Sequence, residues 1–151
     1  MAKTFSKILC PIGFDQNSVA ALKFAYELAD PDKSTLYLLH VVSVARMEPI
    51  MLEPNPILSE GIAERELEKL VQQHLKSNAS YRILTRSGDP APMIVTVADE
   101  LDVDLIVIPT HGDKGIAHMI LGSVAERVVR EARRPVLTVR LGSRSSGSAA
   151  T

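Results

Sequence analysis

The sequence predicts an α/β domain in which an open parallel sheet lies between two layers of helices. Short, almost continuously apolar segments alternate along the chain with longer segments whose apolar residues recur at helical spacing. The alternation begins and ends on a strand, so the strands would join one sheet through right-handed crossovers. The chain has 151 residues, which fits one such domain and leaves little for a second. We therefore expect a three-layer sandwich with five strands.

The first helix lies between two apolar strands. Residues 7–12 (KILCPI) form a short apolar run that ends at a proline and a glycine, and we expect a buried strand. Residues 16–29 follow with one apolar face, and Asp15 stands before them as the expected N-cap. Residues 35–44 (TLYLLHVVSV) are rich in β-branched side chains, which is typical of a strand covered on both faces.

A proline-rich stretch after the second strand predicts a loop. Residues 59–76 then predict a charged amphipathic helix, and residues 80–86 (SYRILTR) a third strand. The next helix is expected to open with Asp89 as N-cap and Pro90 at the first helical position. Its predicted buried stripe consists of Met93, Ile94, Val97, Ala98 and Leu101.

The last unit is strand, loop, helix and strand. Residues 104–108 (DLIVI) predict the fourth strand. The helix over about 123–133 begins with Ser123 and has Glu126 three places later, which is the pattern of a capping box. A proline stops this helix before the last strand, VLTVR. Three arginines near the helix end would complement the negative end of its dipole: Arg130, Arg133 and Arg134.

Composition and charge exclude several classes of protein. The formal net charge of −1 gives no general attraction to nucleic acid or anionic lipid. Cys10 is the single cysteine and cannot form an internal disulfide, which favours a reducing compartment. With no secretory or membrane-spanning run, we expect a cytoplasmic protein whose domain covers residues 1–141, followed by a disordered tail at 142–151. Cys10 and His40 are expected to be core residues, the histidine with its hydrogen bonds satisfied.

Two segments would leave the sheet at the carboxyl ends of the strands, where ligands bind in folds of this class. They are PIGFD after the first strand and PTHGDKGIAHMILGS after the fourth. In the second, Gly112 would let the backbone turn, and Gly122 with Ser123 would present N–H groups and a hydroxyl to an anion. Ser123 can cap its helix and still contact a phosphate. His111 is expected to offer a hydrogen bond rather than to act as a base.

Other motifs that carry chemistry are absent from the sequence. It has no Walker A motif, no GxGxxG after the first strand and no GxSxG elbow. Its four histidines and one cysteine lack metal-ligand spacing. The sequence therefore assigns no catalytic or metal-binding residues and favours a binding protein over an enzyme.

Over about residues 5–141 the sequence resembles the universal stress protein family. The resemblance is carried by KILCPIGFD, LYLLHVV, SGDP, DLIVIPTHG and, most specifically, LGSVAERVVREARRPVLTVR. It implies a Rossmann-like fold, similar to that of the adenine nucleotide alpha hydrolases, with five parallel strands and usually a homodimer. The unpaired edge of the last strand suits pairing with the same strand of a second chain.

The resemblance also implies a nucleotide site. Many members bind ATP through Gly, two residues, Gly, nine residues, Gly, then Ser or Thr, and the last three positions are Gly112, Gly122 and Ser123. It implies that adenine contacts the backbone of Val41. It also implies that the phosphates, accompanied by Mg²⁺, contact the N–H groups that follow Ser123. The implied cofactor-binding residues are Pro11, Ile12, Gly13, Asp15, Val41, Ile108, Pro109, His111, Gly112, Gly122, Ser123, Val124 and Ala125.

Two positions depart from the family pattern. Pro109 replaces the first glycine, which removes an N–H. Gly13 replaces an aspartate that usually contacts the nucleoside, and Asp15 is a candidate substitute. Three functions therefore stay open: a nucleotide-binding protein of stress response or signalling, a dimeric interaction module that has lost nucleotide binding, and a slow ATP hydrolase.

Overall fold

The computed structural model describes residues 4–43, 56–111 and 121–141, with the side chains of the second helix described from residue 59 onward. Strands and helices alternate through these ranges, as the sequence predicts. In chain order they are β1 (Lys7–Pro11), α1 (Gln16–Leu28), β2 (Thr35–Ser43), α2 (Pro56–His74), β3 (Tyr81–Gly88), α3 (Pro90–Leu101), β4 (Leu105–Pro109), α4 (Ser123–Glu131) and β5 (Val136–Val139).

The five strands form one sheet in the order β3-β2-β1-β4-β5, and every pair is parallel. The chain builds outward from β1 to β3 and then crosses back to β4 on the other side of β1. The strand order therefore reverses between β1 and β4, which places the topological switch point at their carboxyl ends.

Alternate residues of the strands supply two cores, one on each face of the sheet. Ile8 and Cys10 pack in the core that α1 and α2 cover. Leu9 and Ile106 pack in the core that α3 and α4 cover. The expected three-layer α/β sandwich is confirmed, and so is the core position of Cys10, which is 0% exposed.

Several element ends differ from the prediction. β3 continues to Gly88, because it pairs with β2 as far as Ser43 and so keeps hydrogen-bond partners beyond residue 86. α2 begins at Pro56, since proline suits the first turn of a helix, where its missing N–H costs nothing. α4 ends at Glu131, two residues before the expected end.

The three predicted N-caps turn out differently. Asp15 caps α1 as expected, its Oδ1 accepting from the Ser18 N–H at 2.7 Å. Asp89 stands at the N-cap of α3 but makes no side-chain cap bond, because its carboxylate pairs with Arg127 of α4 at 3.0 Å. The prediction of a capping box that begins at Ser123 is wrong.

Gly122 is the N-cap of α4, and Ser123 is the first residue inside the helix. The Gly122 carbonyl accepts from the Glu126 N–H at 2.9 Å, and the Gly122 N–H donates to the carbonyl of Thr110 at the end of β4. This bond to the strand sets the boundary one residue earlier than the sequence pattern suggests. Glu126 therefore lies too far along the helix to close a box and pairs with Arg130 instead.

Arg134 also departs from its predicted role at the dipole end of α4. Its guanidinium bridges two carboxylates of the neighbouring α3 unit, Asp99 at 3.2 Å and Asp102. Hydrogen bonds to these carboxylates raise the pKa of Arg134. The arginine therefore ties the segment between α4 and β5 to the end of α3.

Within the ranges described, the structure has no helix long and apolar enough to cross a membrane. The expected tail at 142–151 lies outside the described residues.

Candidate functional site

The candidate site is the crevice between the carboxyl ends of β1 and β4. β1 runs to Pro11 and β4 to Pro109, but their pairing covers only Ile8 with Leu105 and Leu9 with Ile106. The last residues of both strands therefore continue side by side without ladder bonds between them. We call this gap the switch crevice.

Hydrogen-bond direction shows which way Pro109 faces. The N–H and C=O groups of successive strand residues point alternately to the two neighbouring strands. Ile106 donates to Pro135 and Thr110 donates to Val139, both at 2.9 Å and both toward β5. Residue 109 therefore faces the other way, toward β1, and the N–H that proline lacks would have pointed into the switch crevice.

Pro11 faces the switch crevice from the opposite wall. Ile12 donates to Leu39 of β2 at 2.8 Å, so residue 11 faces β4. The next two donors of the β1–β4 ladder would be the nitrogens of Pro11 and Pro109, and neither carries a hydrogen. Two prolines thus end the pairing at Leu9 and keep the switch crevice open.

The loop after β1, residues 12–15, forms one rim of this crevice. The Gly13 N–H donates to Ser18 Oγ at 2.8 Å, and Asp15 Oδ1 accepts from the Ser18 N–H. Asp15 Oδ2 lies 3.3 Å from the position that a Cβ on Gly13 would occupy. The carboxylate of Asp15 therefore stands beside the place where a side chain at residue 13 would begin.

His40 is half-buried rather than part of the core, which corrects the sequence-based expectation. It lies where β2 approaches the loop after β1. Its Nδ1 is 2.7 Å from the carbonyl oxygen of Ile12. Because a carbonyl can only accept, Nδ1 carries the hydrogen. The ring packs against Phe14, with 4.5 Å between ring centroids.

The N-terminus of α4 forms the other rim. Its N-cap, Gly122, has no side chain that could cap the helix. Ser123 and Val124 are exposed, whereas Ala125 is buried against the sheet. The N–H groups of the first turn have no partner four residues earlier in the helix, so they suit an anion.

Thr110 joins this helix to the sheet. Its N–H donates to Val139 of β5 and its carbonyl accepts from Gly122, so the start of α4 is fixed next to the end of β4. The half-buried His111 follows, with Nδ1 3.1 Å from Thr110 Oγ1. The two ends of the long loop thus meet at one point of the sheet edge.

The structure therefore gathers most of the predicted site residues at one edge. Ile108 is buried at the end of β4, and Val41 lies near the end of β2, partly packed against the core under α3 and α4. Gly112 lies outside the described residues. The sequence alone did not predict the contacts of Phe14, His40 and Thr110, because they depend on residues that only the sheet brings together. It also did not predict the local bond from the Gly13 N–H to the Ser18 hydroxyl, which has no sequence signal of its own.

Two kinds of chemistry find no support at this edge. The described residues contain no cluster of three His, Cys, Asp or Glu side chains that would hold a metal ion. Burial raises the pKa of the Cys10 thiol to about 12, so this cysteine is not a nucleophile near neutral pH.

Known proteins match this chain over nearly its whole length. A family model described as the universal stress protein family matches residues 4–140. Universal stress protein MJ0531 of Methanocaldococcus jannaschii is 33% identical, with 90% of this chain and 82% of the relative covered. Universal stress protein YxiE of Bacillus subtilis is 32% identical, with 90% and 99% covered.

Solved structures share the architecture. The hypothetical protein MJ0577, from M. jannaschii, superposes with a TM-score of 0.81 at 24% identity, over 93% of this chain and 99% of that one. A universal stress protein in complex with cAMP gives 0.67 at 21% identity, over 93% and 100%. One from Archaeoglobus fulgidus in complex with dAMP gives 0.60 at 22% identity, over 90% and 98%. At identities below 25%, this similarity shows that the fold is shared and nothing more.

Proposed function

The chain belongs to the universal stress protein family, and from this premise we propose that it binds an adenine nucleotide, ATP or a close relative, at the switch crevice. The nucleotide would bias the shape or the partners of a dimer in stress response or signalling. The observation that carries the proposal is the start of α4, whose N-cap is a glycine without a side chain and which is fixed beside the end of β4.

A comparison of α1 with α4 supports a ligand at α4. Both helices begin near the carboxyl edge of the sheet. At α1 the carboxylate of Asp15 already satisfies one of the free N–H groups. At α4 the same position is glycine, so the N–H groups of Ser123, Val124 and Ala125 are left for phosphate oxygens, and the Ser123 hydroxyl adds a donor.

Asp15 compensates in part for the family aspartate that Gly13 replaces. One of its oxygens caps α1, and the other stands 3.3 Å from the Cβ position of residue 13. A carboxylate is thus still available at this rim for the hydroxyl groups of a ribose. We propose that Asp15 carries both roles.

Mg²⁺ would arrive with the nucleotide rather than be held by the protein alone. The described part of the chain offers no cluster of three metal-binding side chains. Magnesium commonly keeps several waters and binds through substrate phosphates with one or two carboxylates. The neighbouring structures with cAMP and dAMP support an adenine nucleotide as the ligand class.

Two proline substitutions, one at the start of α4 and one at the start of α1, test the proposal. Ser123→Pro removes one N–H and the hydroxyl at the first position of α4, where proline is tolerated. The residue before it, Gly122, is extended at ψ 167°, as a residue before proline prefers. Gln16→Pro is the matched control, because it changes the same position of α1 and follows Asp15 at ψ 172°.

ATP at a hundredfold excess over its Kd would stabilise the protein by about 2.7 kcal/mol. We expect ATP to raise the melting temperature of the unmodified protein and of Gln16→Pro, and not that of Ser123→Pro. Ser123→Ala separates the hydroxyl from the N–H and should retain part of the shift. Absence of any shift at millimolar ATP in the unmodified protein contradicts the proposal.

The interaction module without nucleotide is the second candidate, and Pro109 favours it. The N–H that proline lacks faces the switch crevice, where it would bond to the Pro11 carbonyl or to a ligand, so one donor at this edge is missing. Under this function, nucleotide binding would appear only after Gly13→Asp and Pro109→Gly are combined. Nucleotide released on denaturing the freshly purified, unmodified protein, and identified by chromatography, rules this candidate out.

We propose dimerisation through β5, which lies at an edge of the sheet. Because Val139 accepts from β4, odd-numbered residues of β5 face β4, and Thr138 faces outward. Thr138→Pro removes an outward N–H and should give a monomer in sedimentation, with the sheet intact. A dimer that persists in this variant excludes the β5 interface.

A further inference from the structure

Phe14 stands out in the loop after β1, because its backbone is left-handed. Its φ is 62°, a conformation that residues other than glycine, asparagine and aspartate rarely adopt. The neighbouring Gly13, which tolerates such a conformation best, does not adopt it. Strain placed on a bulky aromatic residue persists only where surrounding contacts fix the loop, and it is common at functional sites.

Contacts at the far end of the loop come from the start of α1. Ser18 is 2% exposed, and its hydroxyl accepts from the Gly13 N–H at 2.8 Å. The carboxylate of Asp15 accepts from the Ser18 N–H at 2.7 Å. These bonds fix residues 13 and 15 to the helix but leave the carbonyl of Ile12 to be satisfied elsewhere.

His40 supplies that remaining contact from β2. Its Nδ1–H donates to the Ile12 carbonyl at 2.7 Å, although 28 residues separate them in sequence. Ile12 is only 3% exposed, so water has little access to replace this donor. The same ring packs against Phe14 with an interplanar angle of 41°.

We propose that His40 is a positioning residue, which through its bond to Ile12 holds the loop in the strained form that places the Asp15 carboxylate beside Gly13. Without this bond, the loop can relax Phe14 to an ordinary φ and turn Asp15 away from the rim of the switch crevice. The effect on a ligand rests on the proposed nucleotide function. The effect on the loop does not.

Two substitutions separate the hydrogen bond from the ring. His40→Asn keeps an N–H donor at the reach of Nδ1 and loses the ring. His40→Phe keeps a ring for Phe14 and loses the donor. His74→Phe, at the last residue of α2, is the matched control for exchanging a histidine elsewhere.

The first measurement is amide hydrogen exchange of Gly13 by NMR, without nucleotide. A net hydrogen bond whose loss leaves a buried acceptor corresponds to about tenfold or more in an equilibrium. We expect Gly13 exchange to rise by about that factor in His40→Phe, and to stay within about threefold of the unmodified protein in His40→Asn and His74→Phe.

The second measurement is the ATP dissociation constant by titration calorimetry. We expect it to rise about tenfold in His40→Phe and to change little in His40→Asn. If the unmodified protein does not bind ATP, the proposed function fails, while the exchange result still decides the role of His40. Unchanged Gly13 exchange in His40→Phe, or equal acceleration in His40→Asn, overturns the inference.

Phe14→Gly keeps the test decisive if His40→Phe does not fold. Glycine accepts the left-handed conformation and removes the ring, while His40 retains its bond to Ile12. We expect Gly13 exchange within about threefold of the unmodified protein. Acceleration of about tenfold would show that the aromatic contact, and not the hydrogen bond, holds the loop, and would refute the assignment.

Discussion

Asp15 and Asp89 occupy equivalent N-cap positions of α1 and α3, yet only Asp15 makes the cap bond. Asp15 accepts from Ser18 at 2.7 Å. Asp89 makes no side-chain cap bond and pairs with Arg127 at the surface. Asp15→Ala and Asp89→Ala therefore remove the same carboxylate from the same helical position, and the difference between them is the capping hydrogen bond less the Asp89–Arg127 ion pair.

Loss of a capping bond costs about 1 kcal/mol. An exposed ion pair such as Asp89–Arg127 contributes much less than a capping bond, because water screens it. An unfolding entropy of about 2.1 cal/mol/K per residue corresponds to ~0.3 kcal/mol/K for 151 residues. We therefore expect Asp15→Ala to lower the melting temperature by about 3 °C and Asp89→Ala to lower it clearly less.

Circular dichroism during thermal and urea unfolding measures both changes, and Asp15→Asn is the control that retains a capping acceptor. We expect Asp15→Asn to stay close to the unmodified protein. Equal losses in Asp15→Ala and Asp89→Ala, or a loss in Asp15→Asn as large as in Asp15→Ala, would refute the cap geometry at the loop that borders the switch crevice.

Three further predictions follow from the packing. Burial raises the pKa of Cys10 to about 12, so a thiol reagent at pH 8 should label it only as fast as the protein opens, and rapid labelling of the native protein would argue against its burial. The stability that comes from keeping this thiol neutral is fully present below pH 9 and is lost as the pH rises toward 12. Arg134→Ala should change urea unfolding only slightly, because its carboxylate partners at the end of α3 are exposed; a loss as large as that of Asp15→Ala would show that these ion pairs hold the α4 unit in place. Pro109→Ala supplies an N–H that faces the carbonyl of Pro11, so the amide of residue 109 should be protected in hydrogen exchange. Exchange of this amide as fast as in an open loop would contradict the direction assigned to residue 109.

Most of the fold follows from hydrophobic patterning. The apolar runs at β1, β2 and β4 and the amphipathic spacing of the helices predict the alternating order, and that order restricts the sheet to parallel pairs. Element ends were less predictable, because they depend on partners. β3 reaches Gly88 because β2 supplies partners as far as Ser43.

The site was predictable where one residue carries the signal. Gly122 and Ser123 mark a helix start from the sequence alone, and Asp15 marks another. The switch crevice was not predictable, because its opening depends on two prolines from distant strands that face each other. The roles of His40 and Phe14 also depend on a contact across the sheet, and a histidine in an apolar strand resembles a core residue until that contact is known.

A titration of the backbone amides at the start of α4 tests the central claim most directly. ¹⁵N-labelled protein is titrated with ATP and, separately, with adenosine, which lacks phosphates. We expect saturable shifts of the Val124 and Ala125 amides with ATP and much smaller ones with adenosine. Equal shifts with both, or none with ATP at millimolar concentration, would contradict a phosphate at this helix.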